Sequence, residues 1–368
     1  MEEKKHTLRE NLASLDRIQL FSVLALYSLG VLSIFSAGAG WEGQGGGFAV
    51  RQLVWGAISA AAFLVTLQIG HGKFFSWAYR FYFFALILLF GVMLAGLTVK
   101  GSQSWFHFGF FRFQPAEFGK IALILVMAKH LCRYPPTGVA SFLGSLALAG
   151  ISGFLVLLQP DMGSTLVYGV TAFVCIVVAG APWRYPAGLI GLVLGIFPFM
   201  WHFLKEYQKM RIRVFLDPWI DPLGAGYNVI QSRIAVGSGG LLGKGFMEGL
   251  QSKLRFLPEP HTDFIFSVYC EEFGFIGSIG MLLLFGILFW RLAETAVRTR
   301  DSRAKVLIAG ISAWIWFQMA ESIGMSMGLL PVTGLPLPFV SYGGSSLLAL
   351  SVALGLAQSV YISTLKTY

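Results

Sequence analysis

The hydrophobic positions of this 368-residue chain fall into long blocks, which short polar turns separate. A helix that crosses the roughly 30 Å apolar core of a bilayer needs about 20 predominantly apolar residues, because it rises about 1.5 Å per residue. The pattern predicts ten such helices, at residues 18–38, 49–70, 76–98, 115–131, 140–158, 163–181, 184–203, 262–290, 304–328 and 338–363. We therefore expect an all-α, polytopic integral membrane protein.

Composition supports this class, since 56 % of the residues are hydrophobic and only 12 % are charged. A soluble domain carries about 25 % charged residues. No repeat or low-complexity linker interrupts the chain, so residues 1–368 are interpreted as a single membrane domain. The connection 204–261, between the seventh and eighth predicted spans, is long enough to have its own architecture. We expect short helices on the membrane surface there, one of them near residues 227–236.

The short loops predict the orientation, because Lys and Arg concentrate on the cytoplasmic side of membrane proteins. With the N-terminus inside, most basic residues of the short loops and the N-terminal segment fall inside: Lys4, Lys5, Arg9, Arg17, Lys73, Lys129, Arg133, Arg298, Arg300, Arg303 and Lys305. Both termini are then cytoplasmic, and every motif-rich segment lies at the outer side. The basic 204–261 connection is the exception, but long loops cross largely regardless of their charge.

An acid at the mouth of the eighth span is the first candidate for chemistry. Asp263 follows Thr262, which is a plausible N-cap, and would lie in the first helical turn, where the helix dipole stabilises a negative charge. A carboxylate there is costly unless it meets water, a partner or a substrate. The alternatives are a plain helix-end role and a general base. Glu271 and Glu272 follow about 12 Å deeper along the helix, and one of them is expected to face a polar interior.

Three more polar groups mark the starts of other spans. Glu117 and Lys120 are three residues apart on the fourth span, which allows an ion pair. They either stabilise the helix start or line an outward cavity. Asp161 follows Gln159 in a tight hairpin and either caps the sixth span or belongs to a site.

The segment 331–346 contains three prolines and breaks the regular helix. Non-helical backbone at membrane depth is tolerated where it is buried in protein or lines a cavity. Backbone N–H groups around Gly343 and Gly344 could bind an anion, and tight packing through small residues is the alternative. No phosphate-binding loop, zinc-ligand pattern or serine-hydrolase motif is visible.

Together these segments resemble the SEDS family (shape, elongation, division and sporulation). The resemblance covers nearly the whole chain and is carried by Gly101…Trp105, Phe113–Lys120, Gln159–Ser164, Asp221–Tyr227, Phe256–Phe266 and Pro331–Ser346. Two positions depart from the family pattern: Ser104 stands where Arg is common, and Ser322 stands where Asn is common. The stretch 249–254 is more similar to the RodA branch than to the FtsW branch.

The resemblance implies a peptidoglycan glycosyltransferase that polymerises lipid II at the outer face of the bacterial cytoplasmic membrane during cell elongation. It implies a class B penicillin-binding protein as partner, alongside the elongation machinery, and a catalytic role for Asp263. The expected cavity and substrate-binding residues are Trp105, Gln114, Glu117, Lys120, Gln159, Asp161, His261, Glu271, Ser341, Gly343 and Gly344. A lipid II flippase, a scaffold for the partner and a division-specific polymerase are the alternatives.

The chemistry agrees with one catalytic carboxylate. A pyrophosphate is already a good leaving group, so a base for the acceptor hydroxyl plus positive charge on the pyrophosphate could suffice. An α-linked donor and a β-linked product imply inversion, which favours a base over a covalent nucleophile. The basic outer loop is expected to face the pyrophosphate and anionic membrane lipids rather than nucleic acid. A divalent cation such as Mg²⁺ or Mn²⁺ is compatible with this reaction, but nothing in the sequence fixes its ligands.

Overall fold

The computed structural model describes residues 8–39, 45–99, 102–109, 111–203 and 206–365. Within these ranges ten helices have 17 or more residues: α2 (Arg17–Ala39), α3 (Gly45–Ile69), α4 (His71–Ala95), α5 (Pro115–Arg133), α6 (Val139–Leu158), α7 (Met162–Val178), α8 (Arg184–Phe203), α12 (Ile265–Arg298), α13 (Ser302–Met327) and α14 (Gly344–Leu365). The shorter helices are α1 (Leu8–Ala13), α9 (Glu206–Leu216), α10 (Tyr227–Ser238), α11 (Leu250–Lys253) and a 3₁₀ turn, Pro218–Ile220.

The ten long helices coincide one by one with the ten predicted segments, which confirms an all-α, multi-span membrane protein. By length and composition, seven of the described helices are long and apolar enough to cross a bilayer. The other three are α7, which has 17 residues, α8, and α5, which carries several charges. The number of spans therefore stays a prediction. In the centre of the bundle α13 packs against α5, α7 and α12, and α14 packs against α3.

A small sheet precedes α5, where only an outer connection was expected. Its strands are β1 (Leu97–Val99), β2 (Ser102–Phe108) and β3 (Phe111–Phe113), in the order β1-β2-β3. Both pairings are antiparallel, with Leu97 opposite Trp105 and Phe106 opposite Phe113. The β-branched and aromatic residues in this stretch favour strands.

The helix α12 is interrupted at Gly274, whose φ of 65° and ψ of −162° are not helical. A piece of the long connection fills the interruption: the N–H of Phe275 donates to the carbonyl of Gly240 at 2.9 Å, and the N–H of Lys244 donates to the carbonyl of Glu271 at 2.9 Å. Continuous helix was expected here, with the 331–346 segment as the single break, and that prediction is wrong. The inserted backbone supplies the hydrogen bonds that the kink removes from the helix.

The predicted helix near residues 227–236 is confirmed as α10, but it packs into the bundle. The Ser232 hydroxyl lies 2.6 Å from that of Ser267 on α12 and donates to the carbonyl of Ser326 on α13 at 2.6 Å. Arg233 donates to the carbonyl of Gly328 at 2.8 Å. Since Ser232 is fully buried, one face of α10 packs against α12 and α13.

Candidate functional site

The predicted motif segments meet at one end of the helix bundle, where α5, α7, α12 and α14 begin and α13 ends. The Gln114 backbone N–H donates to the Ser345 hydroxyl at 3.3 Å, and the Gln114 side-chain amide donates to Asp161 at 3.3 Å. The Ser341 hydroxyl donates to the carbonyl of Thr262 at 2.7 Å. We call this the motif end.

The opposite end of the same helices is basic. Roughly 27 Å along α5 from its first residue, a cavity is lined by Lys129, Arg133, Arg300 and Arg303. The bundle therefore has two chemically different ends, as the orientation argument requires.

Asp263 lies at the motif end in a half-buried turn that precedes α12. The helix begins at Ile265 with Phe264 at the N-cap position and no side-chain cap. The prediction that Thr262 caps this helix is therefore wrong; its hydroxyl donates to the carbonyl of Glu259 at 3.4 Å. The carboxylate of Asp263 instead borders the broken segment, because a Cβ built on Gly334 would stand 3.7 Å from Oδ2 of Asp263.

His261 and Ser341 hold this turn against the broken segment. The His261 ring stacks on the Phe48 ring with their centres 4.4 Å apart. The backbone carbonyl of His261 accepts the N–H of Tyr342 at 2.9 Å. The Ser341 hydroxyl accepts the N–H of Leu337 at 2.8 Å. Both residues adjoin Asp263 and fix the backbone around it.

The glycines at the start of α14 have different surroundings. The N–H of Gly343 donates to the side-chain oxygen of Gln52 at 3.4 Å. A Cβ on Gly344 would come within 2.2 Å of the Trp55 ring. Close packing therefore explains Gly344, which agrees with the small-residue alternative.

Glu117 and Lys120 form a sealed ion pair. The Lys120 ammonium lies 2.6 Å from Oε1 of Glu117, and the two side chains are 0 % and 2 % exposed. The ammonium also lies 4.9 Å from the centre of the Trp314 ring on α13. The pair thus joins α5 to α13 and does not face open water in this structure.

Asp161 caps α7, as one of the two alternatives expected. Its carboxylate accepts the backbone N–H of Ser164 at 2.9 Å and the Ser164 hydroxyl at 2.8 Å. Burial raises the pKa of Asp161 above its usual value, and the hydrogen bonds from Ser164 offset part of that rise.

Gln159 and Trp105 connect this hairpin to its surroundings. The side-chain amide of Gln159 donates to the carbonyl of Leu89 at 3.0 Å. The backbone carbonyl of Gln159 accepts the Ser102 hydroxyl at 2.6 Å. Trp105 is half-buried in the middle of β2. The sheet and the hairpin therefore form one side of the motif end.

Glu271 organises the long connection. Its fully buried carboxylate pairs with Lys244 at 2.8 Å and accepts the backbone N–H groups of Leu250 at 3.0 Å and Gln251 at 3.2 Å. Its neighbour Glu272 accepts the Ser36 hydroxyl. Of the two deep acids, Glu271 has the polar surroundings, and the long connection supplies them.

Much of the positive charge of the long connection is used within the protein. Lys209 pairs with Glu206 at 2.9 Å, Lys253 pairs with Glu248 at 3.2 Å, and Lys244 pairs with Glu271. Among the described residues, no group of three or more His, Cys, Asp and Glu side chains is arranged to hold a metal ion.

Sequence reasoning missed one acid at the motif end. Glu321 is 3 % exposed near the end of α13, and neither of its carboxylate oxygens has a hydrogen-bond partner among the described residues. It interacts electrostatically with Asp263 and with Arg211 of α9. An acid inside the apolar run 304–328 was itself a signal, because such a group is costly in a membrane unless it has a role.

Comparisons with known proteins agree with one another. Residues 17–365 match the FtsW/RodA/SpoVE family, which is described as cell cycle proteins. Peptidoglycan glycosyltransferase MrdB of Escherichia coli is 39 % identical over 354 residues, covering 94 % of this chain and 93 % of the relative.

Two solved structures are similar over the same length. A chain of a peptidoglycan synthase complex, described as coordinating polymerization and crosslinking, is 32 % identical with a TM-score of 0.83 and covers 95 % of this chain and 98 % of its own. Rod shape determining protein RodA of Thermus thermophilus is 30 % identical with a TM-score of 0.71, covering 94 % of this chain and 96 % of its own.

Proposed function

The chain belongs to the FtsW/RodA/SpoVE family, and from that premise we propose that it is a peptidoglycan glycosyltransferase that polymerises lipid II into glycan strands. The relative MrdB is named as a peptidoglycan glycosyltransferase and aligns with 94 % of this chain. The similarity to MrdB and RodA favours a role in cell elongation and rod shape; a division-specific polymerase of the FtsW type is the alternative. The main observation that supports this active site is the half-buried carboxylate of Asp263, which lies in a turn where the motif segments meet.

Asp263 acts as the general base. It accepts the proton of the acceptor sugar hydroxyl while that oxygen attacks the anomeric carbon of the donor. The bond from that carbon to the pyrophosphate breaks, and undecaprenyl pyrophosphate leaves with the electron pair. Asp263 precedes the helix in a half-buried turn and borders Gly334, which has no side chain.

The protein sits in the bacterial cytoplasmic membrane with both termini in the cytoplasm and the motif end outside. The basic cavity at the opposite end supports this orientation, since Lys and Arg collect on the cytoplasmic side. The motif end then meets the outer face, where lipid II and the growing strand are available.

The partner is a class B penicillin-binding protein that crosslinks the new strands. A structurally similar chain comes from a complex described as coordinating polymerization with crosslinking. A flippase would bind its cargo near the bilayer midplane, between paired breaks in the two halves of the chain. Here the motif segments gather at one end of the bundle, which favours a surface enzyme.

The test replaces Asp263 by Asn, which has nearly the same shape but does not act as a base. We expect glycan polymerisation by the purified protein with its crosslinking partner to fall by about 100-fold or more, the contribution of a general base. Product length on a gel and the initial rate from labelled lipid II give the measurement.

The matched control is Asp301→Asn, the same change at the N-cap of α13 at the basic end. This variant should polymerise at close to the wild-type rate. Wild-type activity in Asp263→Asn would exclude the base, and absence of polymerisation by the folded wild-type complex would exclude the proposed function itself.

A further inference from the structure

Glu321 and Thr333 form a small buried polar site at the motif end. Both carboxylate oxygens of Glu321 and the Thr333 hydroxyl are buried, and no hydrogen bond of normal geometry joins them to each other or to another described residue. Nearly all buried polar groups in proteins have a partner, so each exception needs a reason, such as a bound proton, a water or a catalytic role. Three such atoms together indicate a place that holds a proton or a water.

The site formed by Glu321 and Thr333 adjoins the carboxylate of Asp263, the proposed base. Thr333 lies beside Glu321. The next residue is Gly334, and a Cβ built on it would stand 3.7 Å from Oδ2 of Asp263. The two acids come from different elements, α13 and the turn before α12. Their electrostatic interaction is unfavourable when both are ionised, because the charges are alike.

The other charged groups of the surrounding elements are engaged elsewhere. On α5, Lys120 pairs with Glu117 at 2.6 Å, and at the start of α7, Asp161 is held by Ser164. Arg233 of α10 donates to the carbonyl of Gly328 at the end of α13. The charged groups that interact with Glu321 are Asp263, which has the same charge, and Arg211, which has the opposite charge.

We propose that Glu321 is the proton acceptor for Asp263, so that the proton taken from the acceptor sugar passes on to Glu321 through Thr333 or a water beside it. This inference rests on the proposed function. The acceptor O–H bond breaks as the glycosidic bond forms, and the pyrophosphate leaves with its electron pair. The proton then moves from Asp263 to Glu321, which restores the base for the next addition. Glu321 later releases the proton to water.

The physical reason is that two neighbouring carboxylates bind one proton readily, because sharing it removes the repulsion between their charges. A fully buried carboxylate binds a proton more readily than one in a half-buried turn. The proton is therefore drawn away from Asp263. Such a pair titrates as a unit, and it passes the next proton on only while Glu321 is ionised.

The test measures polymerisation rates of the complex with its crosslinking partner from mildly acidic to mildly alkaline pH. The wild type should slow as the pH falls, because a protonated Glu321 cannot take the proton from Asp263. Glu321→Gln, which cannot accept a proton, should be slower by about tenfold or more at alkaline pH and should lose this transition. Glu321→Asp should keep it.

The matched control is Ser322→Ala, a change at the next buried residue of the same helix. It should keep the wild-type pH transition, because a merely structural disturbance does not remove a titration. An unchanged pH profile in Glu321→Gln would overturn the inference while leaving the proposed function intact, whereas an inactive wild-type complex would count against the proposed function.

A second measurement does not depend on activity. The difference between the infrared spectra of the wild type and Glu321→Gln should contain the band of one protonated carboxyl group at acidic pH. In Asp263→Asn this band should disappear at a lower pH than in the wild type, because the like charge has been removed. A band that titrates identically in both proteins would show that the two acids are not coupled, and would also overturn the inference.

Discussion

The ion pair of Glu117 and Lys120 shows what a single buried contact does for this protein. Both charges are removed from water, so their attraction must repay the cost of desolvation. The Trp314 ring beneath the ammonium adds a cation–π contact worth about 0.5–2 kcal/mol. The pair contributes rigidity between α5 and α13, next to the capped start of α7.

Removing either charge of this pair should destabilise the protein. Lys120→Met or Glu117→Gln should each lower the free energy of unfolding by about 3–5 kcal/mol, because an uncompensated buried charge remains. The double variant should recover part of the loss. Thermal unfolding in detergent measures this, with polymerisation falling in parallel with the folded fraction.

The control is Lys209→Met, which removes a surface pair with Glu206 and should leave the free energy of unfolding nearly unchanged. Strictly additive losses in the double variant would mean that the two charges do not depend on each other.

Among the elements, the broken helix α12 is the one that couples the long connection to the site. Its first part carries Glu271, which binds four residues of the connection: Ser238, Lys244, Leu250 and Gln251. Its interruption at Gly274 accepts the backbone around residues 240–245. The same part begins two residues after Asp263. The connection is therefore attached directly to the helix that begins beside Asp263, the proposed base.

Replacing Gly274 by Ala should loosen this attachment. The position has a positive φ, and a Cβ there would stand 2.2 Å from the backbone nitrogen of Gly243. We expect a loss of about 1–3 kcal/mol from backbone strain, plus displacement of the inserted backbone. Hydrogen exchange should rise at residues 239–251 before it rises in the long helices.

Gly280→Ala is the matched control, since nothing lies within 4 Å of its Cβ position on the same helix. Equal exchange in the two variants would show that the kink does not hold the connection in place.

At the scale of the whole molecule, the two ends of the bundle are closed by different means. At the motif end, side chains bind backbone groups of the broken segment, as Ser341 does with Thr262. At the basic end, Arg291 of α12 pairs with Asp16 at 2.7 Å, and Gln358 of α14 accepts the Asp16 N–H at 3.0 Å. The basic end is tied by charges and buried amides, whereas the motif end is tied by hydrogen bonds between side chains and backbone groups.

The proposed orientation predicts which residues a membrane-impermeant thiol reagent reaches. In a Cys132→Ser background, Leu223→Cys in the long connection should react in intact spheroplasts, because this side chain is 90 % exposed. Arg300→Cys at the basic end should react only after lysis. The reverse pattern would place the motif end in the cytoplasm.

Hydrophobic periodicity was enough to locate the long helices, because a bilayer accepts only segments whose backbone groups are all satisfied internally. The segments that carry the chemistry were also visible, since polar residues at the starts of apolar runs are costly and stand out. The kink at Gly274 was not predictable, because the hydrogen bonds that compensate it come from residues about 30 positions away in the chain.

The sequence by itself determined the multi-span helical class, the identity of the motif segments and the choice of Asp263, because these depend on local pattern and on the cost of charge in a membrane. Only the tertiary structure decided which acids have partners. Glu117 and Glu271 are engaged with lysines, and Asp161 with a helix end, whereas Glu321 lies buried near Asp263 without a hydrogen bond. The reason is that the role of a carboxylate depends on its solvation and on neighbours that are distant in sequence.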